Sequence, residues 1–470
     1  MTKKDSHFLD HFAFVFGSQI IVLMSGLVKA LVIPVLLSVS DYAYWQIYVF
    51  YAVYIGIFTL GYGDGLYLKY GGYTFDKLPL DRMRTANAIY VLMLMIGSSA
   101  LVAFAAANMD VQRQFIFCAI AANVIVLGVT ANVSLTLQAT NQLKGYAFLN
   151  SADKVFFLLA LPALFFKELQ NFEALVVIDI SSKIFVMAIL LRQYRHLFFG
   201  KLSALTIGAK EYWSSIGSGI QLLIANLSGM LVLGIGRIIV EYFGKLESYA
   251  HYAFAVSLAN VVLMSITAIS IVLYPTLKRQ PQENFSVYFE ATNRAYLAFA
   301  LIMLCGYFPA VFFIKLAALA YEPVIAFLNA IFVITVLQGK MQLLNNTYYK
   351  AMRLERQMLT ANVSSLFIVT VLSVAAFLAT ESILAIAYAA LLTMLFRVYF
   401  SEMYLRRKIC SKSPPLISIE ILTLSGFLLI TLSLPVSLAA SVWFLIVAAI
   451  AIKNRSAIAS LWKQIRNNTR

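Results

Sequence analysis

Charge is what this sequence has least of. Only 12% of its 470 residues are Asp, Glu, Lys or Arg, against roughly 25% in a soluble domain, and 61% are hydrophobic. A soluble globular chain is thereby excluded. Cysteine is nearly missing: Cys118, Cys305 and Cys410 are odd in number and form no CxxC pair, which excludes a disulfide framework and a cysteine zinc site. The four histidines, His7, His11, His196 and His251, are dispersed. There is no P-loop, HExxH, GxSxG or DxD-like cluster, and no hydrophilic loop large enough to hold a catalytic site, so neither an enzyme nor a metal site is expected. Without a nucleotide-binding segment, any work must draw on an ion gradient, the membrane potential, removal of product or a partner. Acidic residues are the scarcer sign, 21 against 36 Lys and Arg, for a net charge of +15. In a soluble chain that excess would suggest nucleic acid; here the basic residues lie in short segments between apolar runs, where they set orientation, and no nucleic-acid partner is expected.

What is present is long apolar runs. Windows of about 20 residues predict helices near 12–38, 42–63, 85–107, 115–138, 146–166, 173–192, 213–239, 249–276, 294–314, 323–344, 358–379, 382–404, 416–434 and 437–452. The expected class is an all-α polytopic membrane protein with about fourteen spans, or twelve if the short last pair around Pro435 is re-entrant. The first run follows Lys3 and Lys4 as a signal peptide would, but it is too long for one and reads as an uncleaved helix. Either count is even, so both termini share a side. Alternate loops carry Lys69, Lys77, Arg82 and Arg84, then Lys144, Arg192 to Lys210, Lys278 to Arg294, Lys350 to Arg356, and Arg406 to Lys412, whereas the opposite set has only Arg113, Lys167, Lys245 and Lys315. Both ends are therefore expected in the cytoplasm. Ile458, Leu461, Trp462 and Ile465 recur at helical spacing beside Lys463 and Arg466, which suits a tail lying on an anionic leaflet; the segment 282–294 has a similar character.

The chain partly repeats itself. Asp41-Tyr42-Ala43-Tyr44 is echoed by Ser248-Tyr249-Ala250-His251 and Leu66-Tyr67 by Leu273-Tyr274, at an offset of 207, while Gly17-Ser18 matches Gly217-Ser218 at 200. This predicts two pseudo-symmetric six-helix lobes, 1–200 and 208–405, with 406–470 adding a helix pair and a basic tail.

Some charges fall inside the apolar runs. Lys29 lies in mid-span, with no acidic residue within a helical turn, where a charge costs about 2.5–3.5 kcal/mol on insertion scales and usually marks a pathway. Lys154, Lys183, Arg237, Lys340 and Arg397 also lie in or near spans, against Asp153, Asp179 and Glu420. The imbalance favours an anionic cargo. Lys183 has Asp179 at i−4, a pair that can neutralise itself, while Asp153 and Lys154, being adjacent, are about 100° apart and expected on different faces. Lys340 and Arg397 are close enough to the cytoplasmic end to snorkel. Asn123, Thr130, Ser134 and Gln138 form a polar stripe on one predicted helix, and Ser214, Ser218, Gln221 and Ser228 on another; such stripes line a cavity or join helices. Tyr42, Tyr44 and Trp45 suit an interfacial aromatic belt.

The segments LVIPVLLSVSDYAYWQIYVF, LGYGDGLYLKYGG, GRIIVEYFGKLESYAHYAFAVSLANVV with IVLYPTLKR, and YKAMRLERQMLTANVSSLF resemble the polysaccharide and O-antigen flippases of the multidrug/oligosaccharidyl-lipid/polysaccharide (MOP) exporter superfamily. Gly236 stands before Arg237 where many relatives have an acidic residue. The resemblance implies two six-helix lobes around a central cavity and alternating access. The cargo implied is an undecaprenyl-pyrophosphate-linked oligosaccharide made on the cytoplasmic face of the bacterial inner membrane. It further implies, as partners, membrane lipids and the polysaccharide polymerase and chain-length machinery. On that reading Lys29, Arg237, Lys183 and Lys154 are candidates to hold pyrophosphate, Asp153 and Asp179 to couple H+ or Na+, and Asn123, Thr130, Ser134, Gln138, Ser218 and Gln221 to line the cavity, with no cofactor. A flippase for a cell-wall or teichoic-acid precursor, and an ion-coupled drug exporter, are the alternatives.

Overall fold

A computed structural model describes residues 3–278, 281–411 and 413–453. The expected amphipathic tail over Ile458–Ile465 lies outside them. The described chain is helical, 89% helix without strands. The helices are α1 (Lys3–Leu31), α2 (Ile33–Leu36), α3 (Val39–Val53), α4 (Tyr62–Tyr70), α5 (Leu80–Asn108), α6 (Val111–Ala139), α7 (Leu143–Ala160), α8 (Phe172–Gln193), α9 (Leu205–Phe243), α10 (Leu246–Lys278), α11 (Phe285–Leu304), α12 (Tyr307–Ala317), α13 (Ile325–Lys340), α14 (Asn346–Ala351), α15 (Glu355–Thr380), α16 (Ile383–Lys408), α17 (Ile417–Ser433) and α18 (Val436–Lys453). Among the described residues, 11 are long and apolar enough to cross a membrane, 12 when one bent pair is joined, and two shorter apolar helices follow at the C-terminal end.

In hydrocarbon a helix must satisfy its own backbone, so each end needs a partner outside it. Several ends on the predicted outer side have one in sequence. Ser38 accepts from Asp41 N at 3.1 Å, Asp110 from Arg113 N at 2.8 Å, Asn171 from Ala174 N at 2.8 Å and Ser382 from Leu384 N at 3.2 Å. Each of these N-caps supplies a side-chain acceptor to a backbone N–H of the first helical turn.

Two expected elements differ. The second span is bent by 61° between its parts, residues 39–59 and α4. The break is at Leu60 and Gly61, both in the left-handed region with φ of 50° and 78°, and the chain continues helical to Tyr70 because the glycines of LGYGDG permit the turn. The segment 282–294 is not a separate surface helix. It is the start of α11, whose Phe289, Glu290 and Asn293 are buried while Val287 remains exposed.

The chain divides into two compact units. The first runs to Phe254 and takes in Leu354–Val371; the second comprises Ala255–Arg353 and the chain from Leu372 onward. The boundary falls within α10, so α9 packs in the first unit, along α4 and α5. The α4–α9 crossing is very close. A Cβ on Gly65 would lie 1.8 Å from Ser215 O and one on Gly219 2.1 Å from Gly61 O, a small-xxx-small contact on both helices. Lys69 and the Tyr70 hydroxyl then tie α4 to Glu211 of α9, each at 2.7 Å. In the second unit α13 is buried along nearly its whole length, as expected for a helix apolar all round, and α11, α12, α16 and α17 pack against it.

Candidate functional site

The mid-span lysine that has no acidic neighbour in sequence finds one 150 residues away. Lys29 on α1 donates to Asp179 Oδ1 of α8 at 3.1 Å. Lys183, one turn further along α8, reaches the other oxygen, Oδ2, and the Tyr48 hydroxyl of α3 donates to the same oxygen at 2.8 Å. Asn123 of α6 completes the set by donating from Nδ2 to the Tyr48 hydroxyl oxygen at 2.7 Å. Side chains of α1, α3 and α8 thus meet at one carboxylate, and α6 supports the phenol. Lys29 also lies over the Phe157 ring of α7 at 3.9 Å and near Trp45 at 5.8 Å, and aromatic faces partly replace the water an ammonium loses on burial.

Asp179 is buried, at 6% exposure, and an isolated buried carboxylate would be costly. Two ammonium groups and a phenol offset that cost and leave one positive charge in excess. The excess is accessible: the Lys29 side chain is 31% exposed and that of Lys183 12%. Such an arrangement can accept an anionic oxygen at the open side of Lys29 while Asp179 keeps Lys183.

The expectation that Lys29 is unpaired is therefore corrected. The i, i+4 pair of Asp179 and Lys183 does form, but as part of a three-charge group. Asp153 and Lys154 are likewise ion-paired, at 2.9 Å; the angle between their Cβ directions does not prevent contact because the lysine stem is long enough to curl back. Arg237 is buried rather than snorkelled, its guanidinium donating to Ala253 O at 3.5 Å and lying 5.7 Å from the Phe50 ring centre. Thr130 is half-buried and its hydroxyl returns to Val126 O at 2.7 Å, while Ser134 and Gln138 are half-buried further along α6. On α9, Ser218 and Gln221 are exposed, with Ser218 bonded to Ser214 O at 3.0 Å. Tyr42 and Trp45 are fully buried, so they belong to the core rather than to a belt.

Lys340 and Arg397 do not snorkel either. Both are buried in the second unit: Lys340 bridges Glu402 and Glu420, at 2.7 and 2.5 Å, and Arg397 donates to Gln338 at 3.2 Å. Lys69, counted above with the loops, is a helical residue paired to Glu211. The acidic partners Glu211, Glu290 and Glu402 and the hydroxyl of Tyr48 were missed from sequence. Only Glu402 carried a local signal, the i, i+4 spacing to Arg406.

No protein-family model matches this chain, and no curated protein matches it by sequence. Solved structures do. The Vibrio cholerae MATE transporter VcmN is 13% identical, with a TM-score of 0.56 over 87% of this chain and 98% of its own. A multidrug-resistance MATE transporter of the MOP superfamily, in an inward-facing conformation, gives 11% identity and a TM-score of 0.57 over 84% and 100%. The lipid II flippase MurJ, in an inward closed conformation, gives 13% identity and a TM-score of 0.57 over 95% of this chain and 99% of its own. The fold is that of the MOP transporters. At such low identity the MOP likeness extends to the fold alone, and the roles of Lys29, Lys183 and Asp179 rest on the geometry of this chain.

Proposed function

We propose that this protein is a flippase for an undecaprenyl-pyrophosphate-linked oligosaccharide, a polysaccharide or O-antigen repeat unit, carrying it from the cytoplasmic to the outer leaflet by alternating access. The observation that carries the reading is the over-neutralised Asp179: two lysines converge on one carboxylate, and the one on α1 remains open. Pyrophosphate moved past hydrocarbon needs fixed positive charge to offset its desolvation. Lys29 is the proposed first contact and Lys183 the second, with Asp179 holding both in place when no cargo is bound. The exposed polar face of α9 at Ser214, Ser218 and Gln221 supports a hydrated surface for sugar hydroxyls. The solved flippase, MurJ, covers 95% of this chain where the MATE transporters above cover 84 and 87%, and this favours a lipid-linked cargo.

A flippase for a cell-wall or teichoic-acid precursor shares the same pyrophosphate or phosphate chemistry and is the second reading. A cationic drug would call for an acidic excess where this site has a basic one. The test is deletion in the host with complementation. Surface polysaccharide should be depleted and restored by the wild-type chain but not by Lys29→Ala at equal protein level. An intact surface with altered drug tolerance would favour an exporter, and arrested cell-wall synthesis the precursor flippase.

A further inference from the structure

The second unit holds a chain of buried charges that the site above does not use. Lys340 at the end of α13 bridges Glu402 of α16 and Glu420 of α17. Glu402 also accepts from Arg406 at 2.9 Å and from Asn293 of α11 at 3.0 Å. Arg406 in turn grips Glu290 of α11 with two contacts, at 2.7 and 3.2 Å, and Ser411 donates to the same carboxylate at 2.5 Å. All five charged residues are 7% exposed or less. Three carboxylates face two cations, so with every group ionised the cluster keeps one buried negative charge. Arg397 does not supply the missing cation: it meets Gln338, two residues before Lys340 and so about 200° around α13. Arg294, Arg407 and Lys408, the other basic residues at this end of these helices, are exposed.

The three carboxylates are not equally supported. Glu402 accepts from three donors and Glu290 from two residues with three bonds, each on both oxygens or on its whole head group. Glu420 has Lys340 on Oε2, while its Oε1 and the Tyr399 hydroxyl beside it are both buried and make no well-formed hydrogen bond. It borders a small cavity of about 20 Å³ whose surface is almost wholly apolar, lined by Leu337 and Leu424 together with Tyr296, Lys340, Tyr399 and Thr423, room for about one water. Among the described residues no group of three His, Cys, Asp or Glu side chains is placed to hold a metal ion, and a hard cation needs a shell of oxygens that this apolar cavity lacks. A proton needs one acceptor. Lys340 itself stands at the start of a π-helical turn, Met341–Asn345, a departure from α-geometry frequent at functional sites.

We propose that Glu420 is a proton-binding site of this protein, taking up one proton that neutralises the Lys340–Glu402–Arg406–Glu290 cluster. The site stands on the charges of the second unit; use of the proton to drive export rests on the transporter reading above. Proton uptake at Glu420 removes one of the two carboxylates held by Lys340 and so loosens α17 from α13. The test uses the full chain in lipid nanodiscs without cargo, followed by pH-difference infrared spectroscopy. The wild type should show the carbonyl band of a protonated buried carboxylic acid. That band should be lost in Glu420→Gln, which has the shape of the protonated form, and kept in Glu241→Gln, a variant of the part-buried glutamate that Tyr51 caps at 3.0 Å. Isotope-labelled glutamate should shift the band in the wild type, which assigns it to a glutamate without any variant, and Glu420→Gln then assigns the site. The absence of the band in the wild type, its failure to shift on labelling, or its persistence in Glu420→Gln would overturn the proposal.

Discussion

Asp179 is the residue on which the first unit's charges depend. Removing one of two cations leaves the carboxylate a partner, but removing the carboxylate leaves Lys29 and Lys183 facing each other. Asp179→Asn should therefore cost about 3–5 kcal/mol, the range for breaking a buried ion pair, and more than Lys29→Ala or Lys183→Ala; thermal unfolding of the three purified variants checks the order. An equal loss in all three would mean that the lysines do not share the carboxylate. Lys29→Arg should retain part of the glycan delivery that Lys29→Ala loses, because it keeps the charge but its planar head fits the Asp179 and Phe157 surroundings less well. The charge of Lys29 was legible in sequence and its partner was not: α8 brings Asp179 to it across 150 residues, and no local spacing encodes that approach.

At the scale of elements, the crossing of α4 and α9 is set by residues without side chains. Gly65 and Gly219 each allow a backbone approach that a methyl group would prevent. Gly65→Ala or Gly219→Ala should lower the melting temperature, with a cost at or above the upper end of the roughly 1–3 kcal/mol of ordinary overpacking, since the obstacle is backbone and cannot rotate away. Gly217→Ala should raise the melting temperature slightly, because a Cβ there meets nothing within 4 Å and alanine is the better helix former by about 1 kcal/mol. Comparing the three melting temperatures separates a packing effect from helix propensity, which would favour alanine at all three positions. The span expected over 42–63 ends within LGYGDG; the sequence did not show that the helix resumes after Gly61, because the return to α-geometry depends on α9 being there to pack against.

For the whole molecule, the distribution of Lys and Arg predicts a cytoplasmic location for the 71–80 and 194–204 connections. Cysteine substitutions at Lys77 and Lys201 should react with a membrane-impermeant reagent only in permeabilised cells, and labelling of intact cells would invert the topology. Both positions are suitable reporters: Lys77 lies in a short exposed turn and Lys201 in an exposed connection before α9.

Hydrophobic length alone determined that this chain is a many-span helical membrane protein, because a bilayer admits few other solutions and each span must supply its own backbone partners. It also marked Lys29, Lys183 and Asp179 as out of place in hydrocarbon. Which charges meet across helices was decided only by the tertiary structure. Lys29 finds Asp179, Lys340 finds Glu402 and Glu420, and Arg406 finds Glu290, across separations of 150, 62, 80 and 116 residues. A buried charge is tolerated through its partner, and helix packing, not local pattern, brings that partner within reach.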